Sequence, residues 1–191
     1  MNPSDRSPES LPTPRPDHIE VSRDENGLKL VYRWISPTYL FMLVFCIFWD
    51  GFLVFWYRTA LSQSSPPPMM LWFPLLHVGV GIGLTYSTLA GLLNRTTVTV
   101  GQGLITIRHH PLPWFGVTRL QSSDLRQLYC EERIGGRNRT ASHHLSALST
   151  DNRKIALLRN LSSPELARYL EHEIETALGI EDRHVPGEMT K

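Results

Sequence analysis

Two long apolar runs, separated by a short proline-rich connector, constrain this chain more than any other feature. The first run covers residues 39–57 and the second covers residues 70–93. Each has about 20 residues, the length that an α-helix needs to cross the roughly 30 Å hydrocarbon layer of a bilayer. A chain of 191 residues has too little other surface to bury two such helices in a soluble core. The sequence therefore predicts a transmembrane helical hairpin.

Aromatic and basic residues give this hairpin an orientation. Tyr57 and Trp72 lie where the runs approach the connector, and Trp34 lies at the other end, as in the aromatic belts of membrane interfaces. Arg58 is the one basic residue of the connector. The flanking segments contain Arg23, Lys29, Arg33, Arg95 and Arg108. Since basic residues favour the cytoplasmic side, both termini are predicted to be cytoplasmic.

One acidic residue, Asp50, interrupts the first run. Counted as continuous helices rising about 1.5 Å per residue, the two runs place Asp50 and His77 at almost the same depth from the connector. Ionisable groups inside a bilayer usually face other polar groups. We therefore predict a hydrogen-bonded pair of Asp50 and His77 that fixes the register of the hairpin. The alternatives are a proton or ion relay through the same two residues, and contact of one or both with a partner subunit.

Small residues recur at every fourth position of the second run. They are Gly79, Gly83, Ser87 and Gly91. Residues four apart lie on one face of a helix, and small residues there let two helix backbones approach closely in lipid. This stripe is predicted to pack on the first span, with a second copy or a foreign subunit as the alternative partner.

The segments around the hairpin have different compositions. Residues 1–17 are polar and rich in proline, which predicts a disordered tail without the apolar centre of a signal peptide. Residues 18–35 contain two alternating stretches around Asn26-Gly27, which predicts a β-hairpin. The transmembrane hairpin occupies residues 36–94, a mainly β domain is predicted for 95–180, and a C-terminal tail for 181–191.

The predicted β domain ends in a helix whose boundaries are readable. Ser163 suits the N-terminal cap, Pro164 the first helical position and Gly179 the C-terminal cap. One apolar face is predicted to cover an open sheet, and a row of glutamates is predicted to face solvent. The apolar face contains Leu166, Leu170, Ile174 and Leu178, and the glutamates are Glu165, Glu171, Glu173 and Glu175.

The runs TVTVGQGLITIRHHPLPWFGVTRLQSSDLRQLYCEE and HHLSALSTDNRKIALLRNLSSPELARYLEHEIETALGI, within residues 96–180, resemble the bacterial pleckstrin-homology-like domain that follows membrane helices. Several antiparallel strands followed by one C-terminal helix predict an open barrel or sandwich. The resemblance implies that such a domain is attached to one or more membrane helices, here the two predicted spans in a bacterial inner membrane. The strands predicted at 18–35 can add to the same sheet, which would make the hairpin an insertion within the domain.

Residue chemistry argues against several classes of function. The chain has no nucleophile elbow, phosphate-binding loop or isolated pair of carboxylates, so no enzyme activity or cofactor is predicted. Adjacent histidines on a strand face opposite sides, so His109-His110 and His143-His144, even with Cys130, do not form a metal-ligand pattern. A net charge of +1 gives no sign of nucleic-acid binding.

Two loops are candidate contact surfaces. Trp114 and Phe115 stand between prolines and a glycine, where they pack in the core, enter the membrane interface or bind a partner. Arg133, Arg137 and Arg139 make the GGRNR loop basic, which suits a solvated tip or contact with anionic lipid or with an acidic protein surface.

The function predicted from these features is an interaction or assembly subunit of an inner-membrane complex. Its predicted partners are membrane lipids and either a membrane protein or further copies of itself. The alternatives are a sensor of anionic lipid surfaces and a small transport or proton-handling subunit.

Overall fold

A computed structural model describes residues 15–16, 18–25, 27–135 and 140–180. Almost all of the predicted tails, 1–17 and 181–191, lies outside these ranges. The chain forms two compact units. The sheet unit contains the described residues up to 32 together with 96–109 and 115–180, and the helical unit contains 33–95 and 110–114.

The first sheet of the sheet unit combines strands from both sides of the apolar runs. Its strands are β1 (Ile19–Asp24), β2 (Gly27–Arg33), β3 (Arg95–Gly101), β4 (Leu104–His110) and β5 (Thr118–Gln121), in the spatial order β1-β2-β3-β4-β5. The β1-β2 hairpin turns where Asp24 pairs with Gly27, whose φ of 126° favours glycine. Since β2 and β3 are neighbours, the helical segment is inserted between adjacent strands of one sheet.

The second sheet is a three-stranded antiparallel meander. It contains β6 (Leu125–Gly135), β7 (Thr140–Ser149) and β8 (Lys154–Leu161), preceded by a 3₁₀ turn at Ser122–Asp124. Alternation places one set of side chains in the core and the other on the opposite face. Core side chains with no exposed surface come from both sheets and from the C-terminal helix. They include Leu30, Val98, Ile105, Ile107, Leu128, Leu145, Ala147, Leu170 and Ile174.

The C-terminal helix, α4 (Pro164–Leu178), confirms the predicted boundaries. Ser163 Oγ accepts a hydrogen bond from the Leu166 N–H at 3.2 Å, and Pro164 occupies the first turn. Gly179 ends the helix in the left-handed conformation, with φ 67°. The sequence was sufficient to predict these boundaries because each capping residue acts within one helical turn.

The prediction that the glutamates of α4 face solvent is wrong for Glu171 and Glu175, which are buried. Strand β6 lies at the edge of its sheet, so its outer N–H groups point away from β7 and need acceptors elsewhere. Glu175 Oε1 accepts a hydrogen bond from the Leu128 N–H at 3.2 Å, which satisfies one of them. Glu173 pairs with Arg23 at 2.6 Å and joins α4 to β1. These carboxylates therefore tie the helix to both sheets.

The helical unit contains α1 (Pro37–Leu61), the short helix α2 (Pro68–Trp72) and α3 (Leu75–Leu93). The second apolar run, predicted as one helix over 70–93, is interrupted at Phe73 and Pro74. Proline lacks the N–H that would continue the hydrogen-bond ladder. A new ladder starts when the Val78 N–H donates to the Pro74 carbonyl at 2.9 Å.

Side chains of α1 set its antiparallel register against the second run. Near the connector, the Trp56 Nε1–H donates to the Met70 carbonyl and the Tyr57 hydroxyl donates to the Leu71 carbonyl, both at 3.0 Å. Farther along, Cys46 Sγ lies 3.6 Å from Thr88 Oγ1. The bonds of the first two side chains satisfy carbonyls beside the helix break.

The apolar side chains of these helices face outward. In the most apolar stretch of Pro37–Leu61 and of Pro68–Leu93, only 11% of the residues are buried. Exposed residues include Phe41, Phe48, Phe55, Leu76 and Ile82. Two helices long and apolar enough to cross a membrane, together with antiparallel sheets of five and three strands, confirm the coarse fold predicted from the sequence.

The two ends of the helical insertion meet at Asn94, which is 1% exposed. Its side-chain amide donates to the Leu112 carbonyl at 3.0 Å and accepts from the Leu112 N–H at 2.8 Å. Its main-chain carbonyl accepts a hydrogen bond from the Trp34 N–H at 3.3 Å. One buried residue thus joins the end of α3, the segment before α1 and the 110–114 loop.

Candidate functional site

Asp50 is the polar centre of the helical unit. Its Oδ2 accepts a hydrogen bond from the Thr85 hydroxyl at 2.7 Å, and its side chain is half-buried. Gly81 makes room for the carboxylate, because a Cβ at that glycine would lie 2.8 Å from Asp50 Oδ1. The polar pair that forms in the helical unit is therefore Asp50 with Thr85.

The structure does not bring Asp50 and His77 together. Both lie in the described part of the chain, and no hydrogen bond or ion pair joins them. The His77 ring instead stacks on Trp49, with centroids 5.8 Å apart, and contacts Phe73 at 5.1 Å. Its Nδ1 is buried without a hydrogen-bond partner. The predicted pair is not formed, and neither is a direct relay step between the two.

The different pairing follows from the helix break and from helix rotation. The depth comparison treated the second run as one continuous helix, but α3 begins only at Leu75. Trp49, beside Asp50 in sequence, faces His77, and its Nε1–H donates to the His77 carbonyl at 3.2 Å. Asp50 points to Thr85, which lies about two helical turns beyond His77 on α3.

The predicted stripe of small residues is divided between two surfaces. Gly91 lies under the ring of Tyr39, where a Cβ would come within 2.2 Å of Cε1. Gly79 and Gly83 are exposed, and an added Cβ would meet nothing within 4 Å at either. Ser87 is half-buried.

The helix contact follows a different spacing from the predicted one. Its buried positions include Gly81, Thr88 and Gly91, which are seven and three residues apart. That spacing is typical of helices that cross at a shallow angle. Gly91 is the buried residue of the predicted four-residue stripe, and it packs on Tyr39 of α1.

The Trp114 ring packs inside the helical unit. It meets Trp34 edge to face with centroids 5.6 Å apart, and stacks on Tyr86 at 6.2 Å. The Tyr86 hydroxyl donates to the Pro113 carbonyl at 2.5 Å. Of the roles predicted for this loop, Trp114 takes the packing role. Phe115, the other aromatic residue, is 89% exposed.

Of the three arginines of the basic loop, Arg133 lies among the described residues. Arg137 and Arg139 lie outside the described residues. Arg133 Nε lies 3.6 Å from Glu131 Oε2, so at least this arginine faces a carboxylate of its own strand. Glu131 also forms an ion pair with Lys154, on β8 of the same sheet.

Glu131 organises a polar face on the second sheet. Burial alone would raise the pKa of its carboxyl group, but hydrogen bonds from Lys154 and Tyr129 hold that pKa below its ordinary value. Burial, followed by the hydrogen bond to Glu131, raises the pKa of Tyr129 to about 12. Glu131 is hydrogen-bonded to both Lys154 and Tyr129, and such mutual hydrogen bonding is typical of a structural cluster.

The histidines and Cys130 have separate surroundings. His109 Nδ1 lies 2.9 Å from Thr96 Oγ1, and His144 Nε2 lies 3.0 Å from Ser142 Oγ. Burial, followed by the charge of Arg133, lowers the pKa of His144. Cys130 is buried. Over the described ranges, no group of three or more His, Cys, Asp and Glu side chains is arranged to hold a metal ion.

Comparison with protein-family models finds no match for this chain, and no curated protein is significantly similar to it. The pleckstrin-homology-like resemblance therefore stays a prediction. The geometry of the two units must support any function that is proposed.

The contact of Gly91 with Tyr39 gives a stability prediction with a matched control. We expect Gly91→Ala to destabilise the helical unit by about 1–3 kcal/mol, the usual cost of overpacking. Gly83→Ala, one face away on the same helix, should leave stability within about 0.5 kcal/mol. Thermal unfolding in a mild detergent measures both. Equal effects of the two substitutions would contradict the described helix contact.

The two candidate partners of Asp50 can be separated by double-mutant cycles. Asp50→Ala with Thr85→Val should show a coupling of about 0.6–1.7 kcal/mol, the range that double-mutant cycles give for interhelical hydrogen bonds in membranes. Asp50→Ala with His77→Ala should be additive within about 0.5 kcal/mol. Denaturation in mixed micelles, followed by tryptophan fluorescence, provides the free energies of unfolding. A larger coupling to His77 than to Thr85 would favour the pair predicted from the sequence.

Proposed function

We propose that this protein is a membrane-anchored interaction module, a structural or assembly subunit of a bacterial inner-membrane complex. The observation that carries the proposal is a half-buried carboxylate, Asp50, on a helical hairpin whose other side chains present an apolar surface. Such a surface suits lipid, and a carboxylate within it suits a polar group from another membrane protein.

The outward-facing apolar side chains support membrane insertion. A soluble protein that used helices of this length as its core would bury most of their side chains, whereas the apolar stretches here are 11% buried. Leaving so large an apolar surface in water is unfavourable by about 25 cal/mol per Å². Lipid removes this cost without any change in the fold.

The distribution of basic residues supports cytoplasmic termini. Trp34 and Asn94 are hydrogen-bonded, so the two ends of the helical insertion leave it together. Arg33 and Arg95 flank this end, and Arg58 lies near the connector end. Under the positive-inside rule, this distribution of basic residues favours a cytoplasmic location for both termini and for the β strands that continue from this end.

The architecture of the sheet unit supports the resemblance to a pleckstrin-homology-like domain. Two antiparallel sheets are followed by a single C-terminal helix that contacts β6, β7 and β8. Strands β1 and β2, which precede the helical insertion in the chain, belong to the first sheet. This domain offers sheet edges and helix surfaces for binding, while its buried Glu131 and Glu175 already have structural partners.

Cysteine labelling tests the proposed topology. Cys46 and Cys130 are buried, so background labelling should be low. Ser64→Cys lies in the exposed connector and should react with a membrane-impermeant maleimide in intact spheroplasts. Ser162→Cys, exposed after β8, should react only after lysis. Labelling of both sites in intact spheroplasts, or of neither, would contradict the topology.

Purification from native membranes tests the role as a subunit. In a mild detergent, we expect the tagged protein to elute with another membrane protein in a fixed stoichiometry that survives at high salt, since contacts within the bilayer are poorly screened. A protein that elutes alone, before and after chemical crosslinking in intact membranes, would contradict the role. Loss of all binding at high salt would instead indicate a surface contact.

A further inference from the structure

An open groove of about 650 Å³ runs along one side of the helical unit. Its wall on α1 is formed by one helical face from Asp50 to Leu61, and its wall on α3 by one face from Val78 to Leu89. Val54 and Ile82 are 60% and 66% exposed. The α1 wall covers 11 residue steps, or about 16 Å at 1.5 Å per residue. A helix of three turns fits this length.

Asp50 and Thr85 make this groove different from a surface that only faces lipid. Both line it, and they are hydrogen-bonded to each other. The Thr85 bond uses one oxygen of a carboxylate that can accept several hydrogen bonds. The apolar walls therefore surround acceptor sites that a donor entering the groove can use.

We propose that this groove is the docking site for a transmembrane helix of a partner protein that carries a lysine or arginine at the level of Asp50. The inference rests on the proposed function, because it names the surface through which the subunit binds. A basic side chain in the bilayer is unfavourable alone and is stabilised by a carboxylate. The partner helix would supply hydrogen-bond donors and a positive charge, and the groove would supply the Asp50 carboxylate.

A lipid acyl chain is a poorer occupant. It would fill the apolar walls but would place hydrocarbon against the acceptor oxygens of Asp50, which is unfavourable for a polar group.

A second copy of this chain also complements the charge of the groove less well than a basic partner helix does. A twofold axis along the membrane normal puts equivalent residues at equal depth, so Asp50 would face Asp50. Arg58, the cation that lines the groove, lies eight residues from Asp50, or about 12 Å along α1. His77 does not line the groove and is stacked on Trp49.

Synthetic helices provide the test. The full-length protein in phosphatidylcholine vesicles is mixed with a dye-labelled oligoleucine transmembrane peptide that carries one central lysine, or with the same peptide carrying leucine there. Energy transfer from the protein's tryptophans measures binding. We expect the lysine peptide to bind at least about tenfold more tightly, which corresponds to about 1.4 kcal/mol. Asp50→Asn, which keeps an acceptor for Thr85, should reduce this preference to within about twofold.

Two further substitutions separate the groove from the rest of the hairpin surface. Val54→Trp should fill the groove and weaken binding of the lysine peptide. Val80→Trp changes an exposed position on α3 that does not line the groove, and should leave binding unchanged. Thermal unfolding of each variant shows that it is folded.

Equal binding of the two peptides to the wild-type protein would overturn the proposal and leave lipid as the occupant. A homodimer that forms without peptide and is lost in Val54→Trp would overturn it in favour of a second copy. Failure of this inference differs from failure of the proposed function. A native complex that survives in both Asp50→Asn and Val54→Trp supports the subunit role and rejects the groove as the binding site. If the protein prefers the lysine peptide but no native partner is found, the groove is supported and the subunit role is rejected.

Discussion

The hydrogen bonds of Asn94 hold together the two ends of the helical segment that is inserted between β2 and β3. Neighbouring strands lie about 4.8 Å apart, so a helical segment inserted between β2 and β3 must return to its starting point. Buried polar groups at that point need partners, since each one left unsatisfied is costly. Asn94 provides them by bonding both main-chain groups of Leu112 and accepting from the Trp34 N–H. The segments before α1 and after α3 are thereby held together.

The features that the sequence predicted well are those decided within a few residues. Ser163 and Gly179 end α4 because cap bonds form within a turn, and hydropathy alone finds the two apolar helices. The partner of Asp50 could not be found in this way. Thr85, Ser87 and His77 are all polar positions of the second run, and the choice among them depends on helix rotation and on the interruption at Pro74. Both are settled by packing between helices.

Glutamates show the same limit in the sheet unit. The helical periodicity places Glu171 and Glu175 outside the apolar face of α4. A charged residue at such a position is expected to face solvent. The edge of β6, however, exposes N–H groups that need acceptors, and Glu175 reaches one of them. Which strand forms an edge is a property of the whole sheet, so the sequence of the helix does not reveal it. Glu131 is similar, since its ion pair with Lys154 joins residues on β6 and β8.

The insertion between β2 and β3 also has a consequence for the order of synthesis. Strands β1 and β2 leave the ribosome first, then the helices, and only afterwards β3 to β8. With the hairpin in the membrane as proposed, the first sheet cannot be completed until both helices have crossed and the chain has returned to the cytoplasm. Folding of the sheet unit would then depend on finished membrane insertion. A chain with one helix misplaced would keep the β1-β2 hairpin without β3, and the open edge of β2 could be recognised by quality-control proteases.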